Sequence, residues 1–346
     1  MLNITEVRRG QDCASWDRYV LSHPGATGYH LMAWRRVMED AFGHATFYFM
    51  VTDQDQIVHG VLPLVFLPSR LFGRLLVSMP YVNYGGLLAD TVEAQDALLT
   101  AAIDLAKEQR AAHVELRQSE TLGVGWPVKQ HKVSMRLELP KHFETLWERF
   151  PSKLRSQVRR ARNAGMIVRS GGEELLDDFY RLLARNMRDL GSPVHGRGVF
   201  ESFLQALPDE TRICVVSLAG QPMAAGFLYG FREVLEIPWA AADRRQKHLS
   251  ANMLLYGAAL EHGCRAGYRV FDFGRSTPGS GTYQFKQQCG AKPLPLHWYY
   301  WLRNGSALPD IGPQNPKFSL AMAVWKQLPV FVTKIIGPAI MRNTPA

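Results

Sequence analysis

Three charged side chains late in the sequence have the types and the spacing of a candidate catalytic site. Asp272 and Arg275 end an apolar run that is typical of a β-strand, and Lys286 follows after a loop of small residues, 276–282. Such a loop lets backbone N–H groups approach a ligand closely. Because α/β proteins build ligand sites at the carboxyl ends of strands, the segment predicts binding or catalysis. The alternative is a β-turn with Arg275 and Lys286 merely solvated.

A strongly basic predicted helix is the second candidate. The run from Lys153 to Arg162 has an apolar stripe at helical spacing, with five cations and no acid among its ten residues. Like charges one helical turn apart repel each other, so an anion is their natural complement. Arg155 and Arg159 are the candidate contacts to phosphate or RNA. The alternative is a solvated face whose arginines pair with acids elsewhere in the fold.

Aromatic, amide and cationic residues in the first third of the chain form a third candidate. The rings are of the kind that stacks on a base or a sugar, although aromatic residues also fill hydrophobic cores. Both interpretations stay open from the sequence. The candidate binding residues are Trp34, Arg36, Tyr81, Asn83 and Tyr84.

Several common catalytic and metal-binding motifs are missing from the sequence. It has no nucleophile elbow, P-loop or dinucleotide fingerprint. Its eleven histidines show no metal-ligand pairing, and its four cysteines have no Cys-x-x-Cys spacing. We therefore expect no metal site, no tightly bound cofactor and no covalent or phosphoryl-transfer chemistry. His195, in an unusual loop, is expected to be a turn histidine.

The composition is that of an ordinary globular protein with a basic character. The 346 residues are 47% apolar and 21% charged, which is enough for two hydrophobic cores, and the net charge is +9. That charge favours nucleic acid, phosphorylated or diphosphate-linked substrates, or an acidic membrane surface. The first ten residues have no continuous apolar stretch of the signal-peptide kind, so we expect a cytoplasmic location.

The elements that would position the candidate residues occur twice in the same order. Each half of the chain predicts a β-hairpin, a strand, a helix and a strand, and the strand acids Glu115 and Asp272 follow an Ala-Ala pair at the same distance. We therefore predict a duplicated α/β unit. Its predicted elements are hairpin strands 45–51 and 57–66, helix 92–110 and strand 113–116, then strands 212–218, 223–231 and 234–242, helix 250–266 and strand 269–273.

The region between the two copies predicts a domain boundary. A linker over 126–132 precedes a strand over 133–139, and helices follow over 140–165, with Ser152 as a candidate N-cap, and over 173–190. The predicted division is a first domain over 1–130, a second over 131–303 and a tail over 304–346.

The tail contains an apolar segment, 317–341, that is too interrupted to span a bilayer comfortably. Lys326, Pro329 and Lys334 break its apolar run. It either docks on the protein's own surface or lies at a membrane interface, with Trp325 and the lysines at the headgroups. The second interpretation predicts peripheral contact with the inner face of the membrane.

Taken together, these motifs resemble those of FemAB-type acyltransferases. The resemblance rests on the duplicated unit, the phrases 154–165 and 186–196, and the Asp-Phe-Gly-Arg motif at 272–275 followed by Phe285-Lys286. It spans roughly 34–301 and is closest to the subgroup associated with exosortase/PEP-CTERM exopolysaccharide systems. It implies an α/β fold with mixed sheets, built as two tandem GNAT-like domains with a C-terminal helical segment.

The resemblance also implies N-acyl transfer. Well-known members of the family move an aminoacyl group from charged tRNA to an amine of a peptidoglycan precursor. The expected donor is therefore aminoacyl-tRNA or acyl-coenzyme A. The expected acceptor is an anionic small molecule or a lipid-linked precursor of the cell envelope or of an exopolysaccharide.

The catalytic roles that the resemblance implies fall on two residues. In the family the lysine of the Phe-Lys motif lies by the reaction centre, so Lys286 is expected to stabilise the developing oxyanion or a donor phosphate. Asp272 is a candidate base, with a structural salt bridge to Arg275 or Arg269 as the alternative. Contacts to the donor or the substrate are expected from Arg275, Ser276, Thr282, Tyr283 and Phe285.

The chain departs from the family in two places. It lacks the long helical-hairpin arm of some members, which weakens the case for whole-tRNA contact of that type. Residues 244–251 also stand where an ordinary GNAT enzyme has a Gly-rich loop around the coenzyme A pyrophosphate. A helix that begins near Ser250 still offers free N–H groups, with Arg245 beside it, so both remain donor-binding candidates.

Two other classes of function compete with acyl transfer. One is a non-catalytic module that binds an anionic polymer or a lipid-linked diphosphate, and turnover with any donor would distinguish it. The other is a nucleic-acid-binding protein, for which binding would weaken steeply with salt.

Overall fold

The computed structural model describes residues 2–69, 72–303, 308 and 316–345, and these fall into two units. The first unit contains residues 1–131, 295–310 and 342–346. The second contains residues 132–294 and 311–341. Each unit is built on one mixed β-sheet.

The described strands and helices follow the order that the sequence predicts. The strands are β1 (Asn3–Val7), β2 (Ala45–Thr52), β3 (Val58–Ser69), β4 (Gly73–Val77), β5 (Leu88–Ala89), β6 (His113–Gln118), β7 (Val128–Lys129), β8 (Val133–Glu138), β9 (Ile167–Gly171), β10 (Thr211–Leu218), β11 (Gln221–Phe231), β12 (Val234–Ala242), β13 (Val270–Ser276), β14 (Lys292–Pro295) and β15 (His297–Leu302). The helices are α1 (Cys13–Ser22), α2 (Ala33–Arg36), α3 (Val92–Glu108), α4 (Phe143–Arg149), α5 (Ser152–Asn163), α6 (Leu176–Leu190), α7 (Arg197–Ala206), α8 (Ala251–Arg265), α9 (Gly281–Gln288), α10 (Pro316–Gln327) and α11 (Val330–Arg342).

The two sheets have corresponding strand orders. The first is β1-β2-β3-β4-β6-β15-β7, with β5 on β3, and the second is β14-β8-β13-β12-β11-β10-β9. In the first sheet β4 and β6 run parallel, and in the second β12 and β13 do. The predicted hairpins are antiparallel pairs, β2 with β3 and β10 with β11. These correspondences confirm the predicted fold of two similar α/β units in tandem.

One long helix covers the core of each sheet. On α3, the residues Leu98, Ala102 and Leu105 lie on one face at helical spacing and are buried against the first sheet. On α8, Leu254 and Leu255 are buried in the core of the second. Full burial of one such leucine contributes about 1.5–3 kcal/mol, so these helices fix the sheet edges that carry the candidate residues.

The basic helix α5 forms as predicted, but it begins one residue earlier than expected. Its apolar stripe of Leu154, Val158 and Ala161 is buried. Pro151 is the N-cap, because its carbonyl oxygen accepts hydrogen bonds from the N–H groups of Leu154 and Arg155. The predicted cap, Ser152, is therefore the first helical residue.

The chain crosses between the two sheets twice, and the predicted domain boundaries include only the first crossing, near residue 131. β8 follows the first copy in sequence and lies next to β13, as predicted for the second domain. β15, which the sequence placed at the end of the second domain, pairs instead with β6 of the first sheet. In the predicted tail, residues 304–307 and 309–315 lie outside the described residues, while α10 and most of α11 belong to the second unit.

The parallel pair in each sheet comes apart at its carboxyl end. In the second unit, pairing of β12 with β13 ends at Glu236 and Asp272, although both strands continue. In the first unit, pairing of β4 with β6 ends at Val77 and Glu115. Ligands bind at such diverging carboxyl ends in open α/β sheets. The divergence therefore marks one candidate location in each unit.

Candidate functional site

Lys286 lies on α9, and its ammonium group reaches the end of β13. Its Nζ donates hydrogen bonds to the backbone oxygens of Gly274 (2.9 Å) and Arg275 (3.1 Å). The register of β13 against β8 shifts between Asp272 and Arg275, and Gly274 adopts a positive φ of 72° there. Glycine takes this conformation readily, and such an irregularity redirects the backbone locally. The lysine is thereby fixed to the end of the strand.

Lys286 is an unusual lysine because only 7% of it is exposed. Burial lowers the pKa of its ammonium group to about 8; the Arg275 charge acts in the same direction, whereas the charges of Asp272 and Glu236 raise it. An ammonium group has three N–H bonds, and among the described residues two carbonyl oxygens accept from this one. It can therefore donate to a ligand oxygen.

Further polar groups lie beside Lys286 at the end of β13. Lys132 donates to the hydroxyl of Thr277 in the following loop (2.6 Å). Burial and the charge of Arg275 lower the pKa of Lys132. Ser276 is buried, and its hydroxyl has no hydrogen-bond partner among the described residues. The charge of Arg275 lowers the pKa of both lysines, and such a group of cations beside an unsatisfied hydroxyl favours an anionic or oxygen-rich ligand.

Asp272 is completely buried and holds the irregular part of β13. Its carboxylate accepts hydrogen bonds from the Ser134 hydroxyl (2.5 Å), the Gly274 N–H (2.8 Å) and the Arg136 Nε (3.0 Å). Three donors on two oxygens suit a carboxylate that fixes the backbone. The geometry therefore supports a positioning role for Asp272 more than the role of base.

Asp272 forms an ion pair with a partner that the sequence reasoning did not name. The structure pairs the carboxylate with Arg136 on the neighbouring strand β8, and Arg269 pairs with Glu233 (3.1 Å). The prediction looked only along β13, whereas the partner comes from a strand that is distant in sequence and antiparallel to it. Arg275 contributes its backbone oxygen and its charge to the surroundings of Lys286.

Glu236 is a buried acid that the sequence reasoning missed. It lies on β12 directly opposite Asp272 in the parallel register, and its charge raises the pKa of Lys286. Its neighbours Leu235 and Ile237 are buried in the core. An acid between two apolar residues of a predicted strand is a signal that could have identified it, because alternation places it on the opposite face.

The remaining candidates near Lys286 shape α9. The hydroxyl of Ser280 caps the helix by accepting from the Tyr283 N–H (3.3 Å), and it lies 3.0 Å from the Thr282 hydroxyl. The Tyr283 hydroxyl accepts from Gln287 (3.2 Å). Phe285 packs against the ring of Tyr256, with ring centroids 5.0 Å apart. Thr282 alone of the predicted contacts on this helix is exposed.

The basic helix α5 is partly neutralised and partly open to solvent. Arg162 pairs with Glu261 (3.6 Å), as the solvated-face interpretation expects. Arg159 is exposed, with its guanidinium 6.0 Å from the ring centre of Trp147. The buried Nε of Arg155 has no hydrogen-bond partner among the described residues. The two residues predicted to contact phosphate are therefore the better placed of these three for an anion.

The loop before α8 differs from its expected role in one respect. Ser250 is the N-cap of α8 and takes a left-handed conformation with φ 61°, so the helix begins where predicted. Arg245, however, forms an ion pair with Asp243. The hydrogen bond from Arg245 is the main cause that lowers the pKa of Asp243 to about 2. Part of the positive charge expected here for a donor phosphate is thus neutralised within the protein.

The structure puts most of the first-unit candidates inside that unit. Trp34 is 2% exposed and packs edge-on against Tyr29, with centroids 4.7 Å apart. Tyr84 and Asn83 are also buried. Arg36 is exposed on α2. The core interpretation therefore holds for the rings of Trp34 and Tyr84, which present no open face for stacking.

His195 is likewise an interior residue. Its ring lies edge-on to Trp239, with centroids 6.2 Å apart, and burial lowers its pKa to about 4. The prediction of a turn histidine is correct for its loop position but missed its burial.

No further class of site emerges from the described residues. No group of three or more His, Cys, Asp or Glu side chains there could hold a metal ion. Within the same part of the chain, no helix is both long and apolar enough to cross a membrane.

Comparisons with known proteins agree with this geometry. Residues 148–287, which include Lys286, match the model of a GNAT acetyltransferase domain. No curated protein matches the chain. Among solved structures, FemX has a TM-score of 0.67 at 16% identity, over 92% of this chain and 100% of FemX.

Two further solved structures have the same architecture. A tandem GNAT protein from the clavulanic acid biosynthesis pathway has a TM-score of 0.57 at 15% identity, covering 89% of this chain and 100% of its own. The C-terminal domain of a putative lysylphosphatidylglycerol synthetase from Agrobacterium fabrum has a TM-score of 0.57 at 11% identity, covering 92% and 96%. These likenesses confirm the predicted tandem GNAT-like fold.

Proposed function

We propose that the protein is an N-acyltransferase that moves an acyl or aminoacyl group onto an amine of a cell-envelope or exopolysaccharide precursor. The observation that carries the proposal is the buried Lys286 ammonium group, which is fixed to the end of β13 and lies inside the segment that matches a GNAT acetyltransferase domain. The tie to exosortase systems rests on the sequence resemblance alone.

The proposed reaction needs alignment and an oxyanion donor more than covalent chemistry. The amine attacks the acyl carbon, a C–N bond forms, and the C–O bond of an ester or the C–S bond of a thioester breaks. A protonated Lys286 would donate to the oxygen that gains charge, which is the strongest contribution available at this site. Water would accept the proton that the amine loses, because three hydrogen bonds from the protein hold the Asp272 carboxylate in place.

The proposed donor is aminoacyl-tRNA or acyl-coenzyme A. FemX and the lysylphosphatidylglycerol synthetase domain share the fold at low identity, and both donors carry phosphates. Arg155 and Arg159 on α5 and the first N–H groups of α8 are the proposed phosphate contacts. The acceptor would meet the cations at the end of β13, so an anionic small molecule or a lipid-linked precursor is the proposed class.

Release of the acyl group from its donor tests the proposal. Purified protein is given a mixed pool of charged tRNA, or a panel of acyl-coenzyme A species, together with a crude extract of envelope precursors. Loss of the group from one donor class, abolished by Lys286→Met and retained in the exposed-lysine control Lys292→Met, would support acyl transfer. No loss from either donor, with an acceptor-containing extract, would favour the alternative module that binds an anionic polymer or a lipid-linked diphosphate.

The location at the inner face of a membrane is a separate proposal on α10 and α11. On α11 the small residues Thr333 and Gly337 are buried, while Phe331 (67% exposed) and Ile335 (72% exposed) face solvent. Leu320 on α10 is also exposed, and neither helix contains an acid. A helix that buries its small side and exposes its large apolar side is typical of an interfacial segment.

Vesicle sedimentation tests the membrane contact. Full-length protein should pellet with phosphatidylcholine vesicles that contain phosphatidylglycerol and less with phosphatidylcholine alone. The variant Phe331→Asp/Ile335→Asp should stay in the supernatant, while Ile57→Asp, an exposed apolar residue of the first unit, should still pellet. Equal pelleting of both variants would refute the contact.

A further inference from the structure

The carboxyl end of the parallel pair in the first unit is filled by a distant segment of the same chain. Residues 342–346 belong to this unit, and within them Pro345 is buried. The Tyr81 hydroxyl donates to the backbone oxygen of Arg342 (2.7 Å), and Arg117 Nη2 donates to that of Pro345 (3.2 Å). The segment is therefore held at both ends through its main-chain oxygens.

Buried polar side chains surround this segment at the carboxyl end of β4 and β6. Arg117 is completely buried and also donates to Glu115 (2.8 Å) and to the backbone oxygen of Val82 (2.7 Å). Tyr81 has a φ of 72°, its hydroxyl lies 2.8 Å from His44 Nε2, and its ring stacks on Phe42 at 4.4 Å. A residue of this size rarely adopts a positive φ. The loop is thus held in a strained shape that aims the hydroxyl at the segment.

Gly43 completes the contact on the other side of Arg342. Its backbone oxygen accepts from Arg342 Nη2 (2.8 Å), and a Cβ placed on this glycine would lie 2.8 Å from the same nitrogen. Its φ of 64° is one that glycine takes without strain. The atom that a Cβ would meet is the far end of the flexible Arg342 side chain, so the positive φ is the main reason for a glycine at this position.

We infer that the first unit contains a binding site for a short peptide segment and that Arg342–Pro345 occupies it in this structure. The location is the one where open α/β sheets bind ligands. The contacts are made to the main-chain oxygens of Arg342, the last residue of α11, and of Pro345, with a turn at Asn343 between them, and the proline is buried. The ligand class is therefore a short peptide that turns between its two main-chain contacts and carries a proline or another small apolar residue. The inference goes beyond the proposed acyl transfer and does not depend on it.

Peptide binding in trans tests the inference. A variant that ends at Met341 should bind a fluorescent peptide with the sequence of residues 341–346, and the full chain should not, because its own segment fills the site. Replacing the proline of the peptide by aspartate should abolish binding. Adding Tyr81→Phe to the shortened variant should weaken binding about fivefold, the value of one hydrogen bond. A folded shortened variant that ignores the peptide, or a full chain that binds it equally, would overturn the inference.

Trypsin provides a second test on the full chain should the shortened variant fail to fold. The bond after Arg342 is cleavable only when the segment leaves its site, and the loss of residues 343–346 is visible by mass spectrometry. Gly43→Ala and Tyr81→Phe should speed this cleavage, whereas Tyr19→Phe, which removes a hydroxyl bound to Asp90, should not. Unchanged cleavage in both first variants would refute the occupied site.

Discussion

The ends of the two parallel strand pairs solve the same electrostatic problem in opposite ways. In the first unit Glu115 and Arg117 neutralise each other at 2.8 Å, and the remaining donors of Arg117 reach carbonyl oxygens of the protein. In the second unit Lys286 and Lys132 both have pKa values lowered by burial and by the charge of Arg275. The charges at the first end are balanced within the protein. The second end keeps positive charges that an anionic ligand can balance.

This difference shows which copy of the duplicated fold carries the cations of the proposed reaction. Both copies use a buried strand acid at the same topological position, Glu115 and Asp272, to fix the end of the parallel pair. Among the residues that the structure describes, the second copy alone places a lysine, Lys286, against the carbonyl oxygens beyond its acid. Chemistry therefore depends on the residues that each copy adds beyond the scaffold, because the scaffold is common to both units.

Neutralising the two strand acids, Glu115 and Asp272, should lower the free energy of unfolding by different amounts. Glu115→Gln leaves the fully buried Arg117 without its counter-ion, and we expect a loss of about 3–5 kcal/mol in unfolding free energy. Asp272→Asn should lose less, about 2 kcal/mol, because Arg136 is partly exposed and can be solvated. Denaturant unfolding followed by circular dichroism measures both. Equal losses would contradict the view that only the first end is sealed.

Removing the ammonium group of Lys286 should show whether turnover depends on the second unit. Lys286→Met deletes the proposed oxyanion donor, and turnover should fall by about 10²–10³. Single-turnover acyl transfer measures the loss, with Lys292→Met as the control. If turnover of Lys286→Met is unchanged, Lys286 is not the oxyanion donor, and a lower melting temperature would then make it a structural lysine.

The sequence predicted the site residues that lie close together in the chain and missed those that lie far apart. Asp272, Arg275, Ser276 and Lys286 lie within one strand, loop and helix, so their spacing alone predicted their association. Lys132 precedes β8 in the sequence, far from Thr277. The prediction missed it, because only the pairing of β8 with β13 brings the two residues together.

The fold was predictable for a similar reason, and the prediction was wrong for one strand. Local alternation and turns predicted both hairpins and both long helices, since each is defined by nearby residues. β15 was misplaced because its aromatic run, His297–Leu302, suits an interior strand of either sheet. Its pairing with β6 involves residues almost two hundred positions earlier, and no local pattern specifies such a partner.

The pH dependence of turnover should reveal which form of Lys286 works. If the protonated form donates to the oxyanion, the rate should fall about tenfold per pH unit above a pKa of about 8, because the proton is lost there. Lys286→Arg keeps its charge and should lack this fall, while both proteins share any rise due to the acceptor amine. A rate that instead rises through pH 8 only in the parent would identify neutral Lys286 as a base.

Two neighbouring charges should shift the pKa of Lys286 in opposite directions. This is the smallest expected effect, and it is the sharpest test of the cation site at the end of β13. The charge of Glu236 raises the pKa of Lys286, so Glu236→Gln should move the falling limb to lower pH. The charge of Arg275 lowers that pKa, so Arg275→Gln should move the limb to higher pH. Glu233→Gln, on an exposed acid paired with Arg269, should leave it in place. Shifts of the same sign in the first two variants would mean that the limb does not report Lys286.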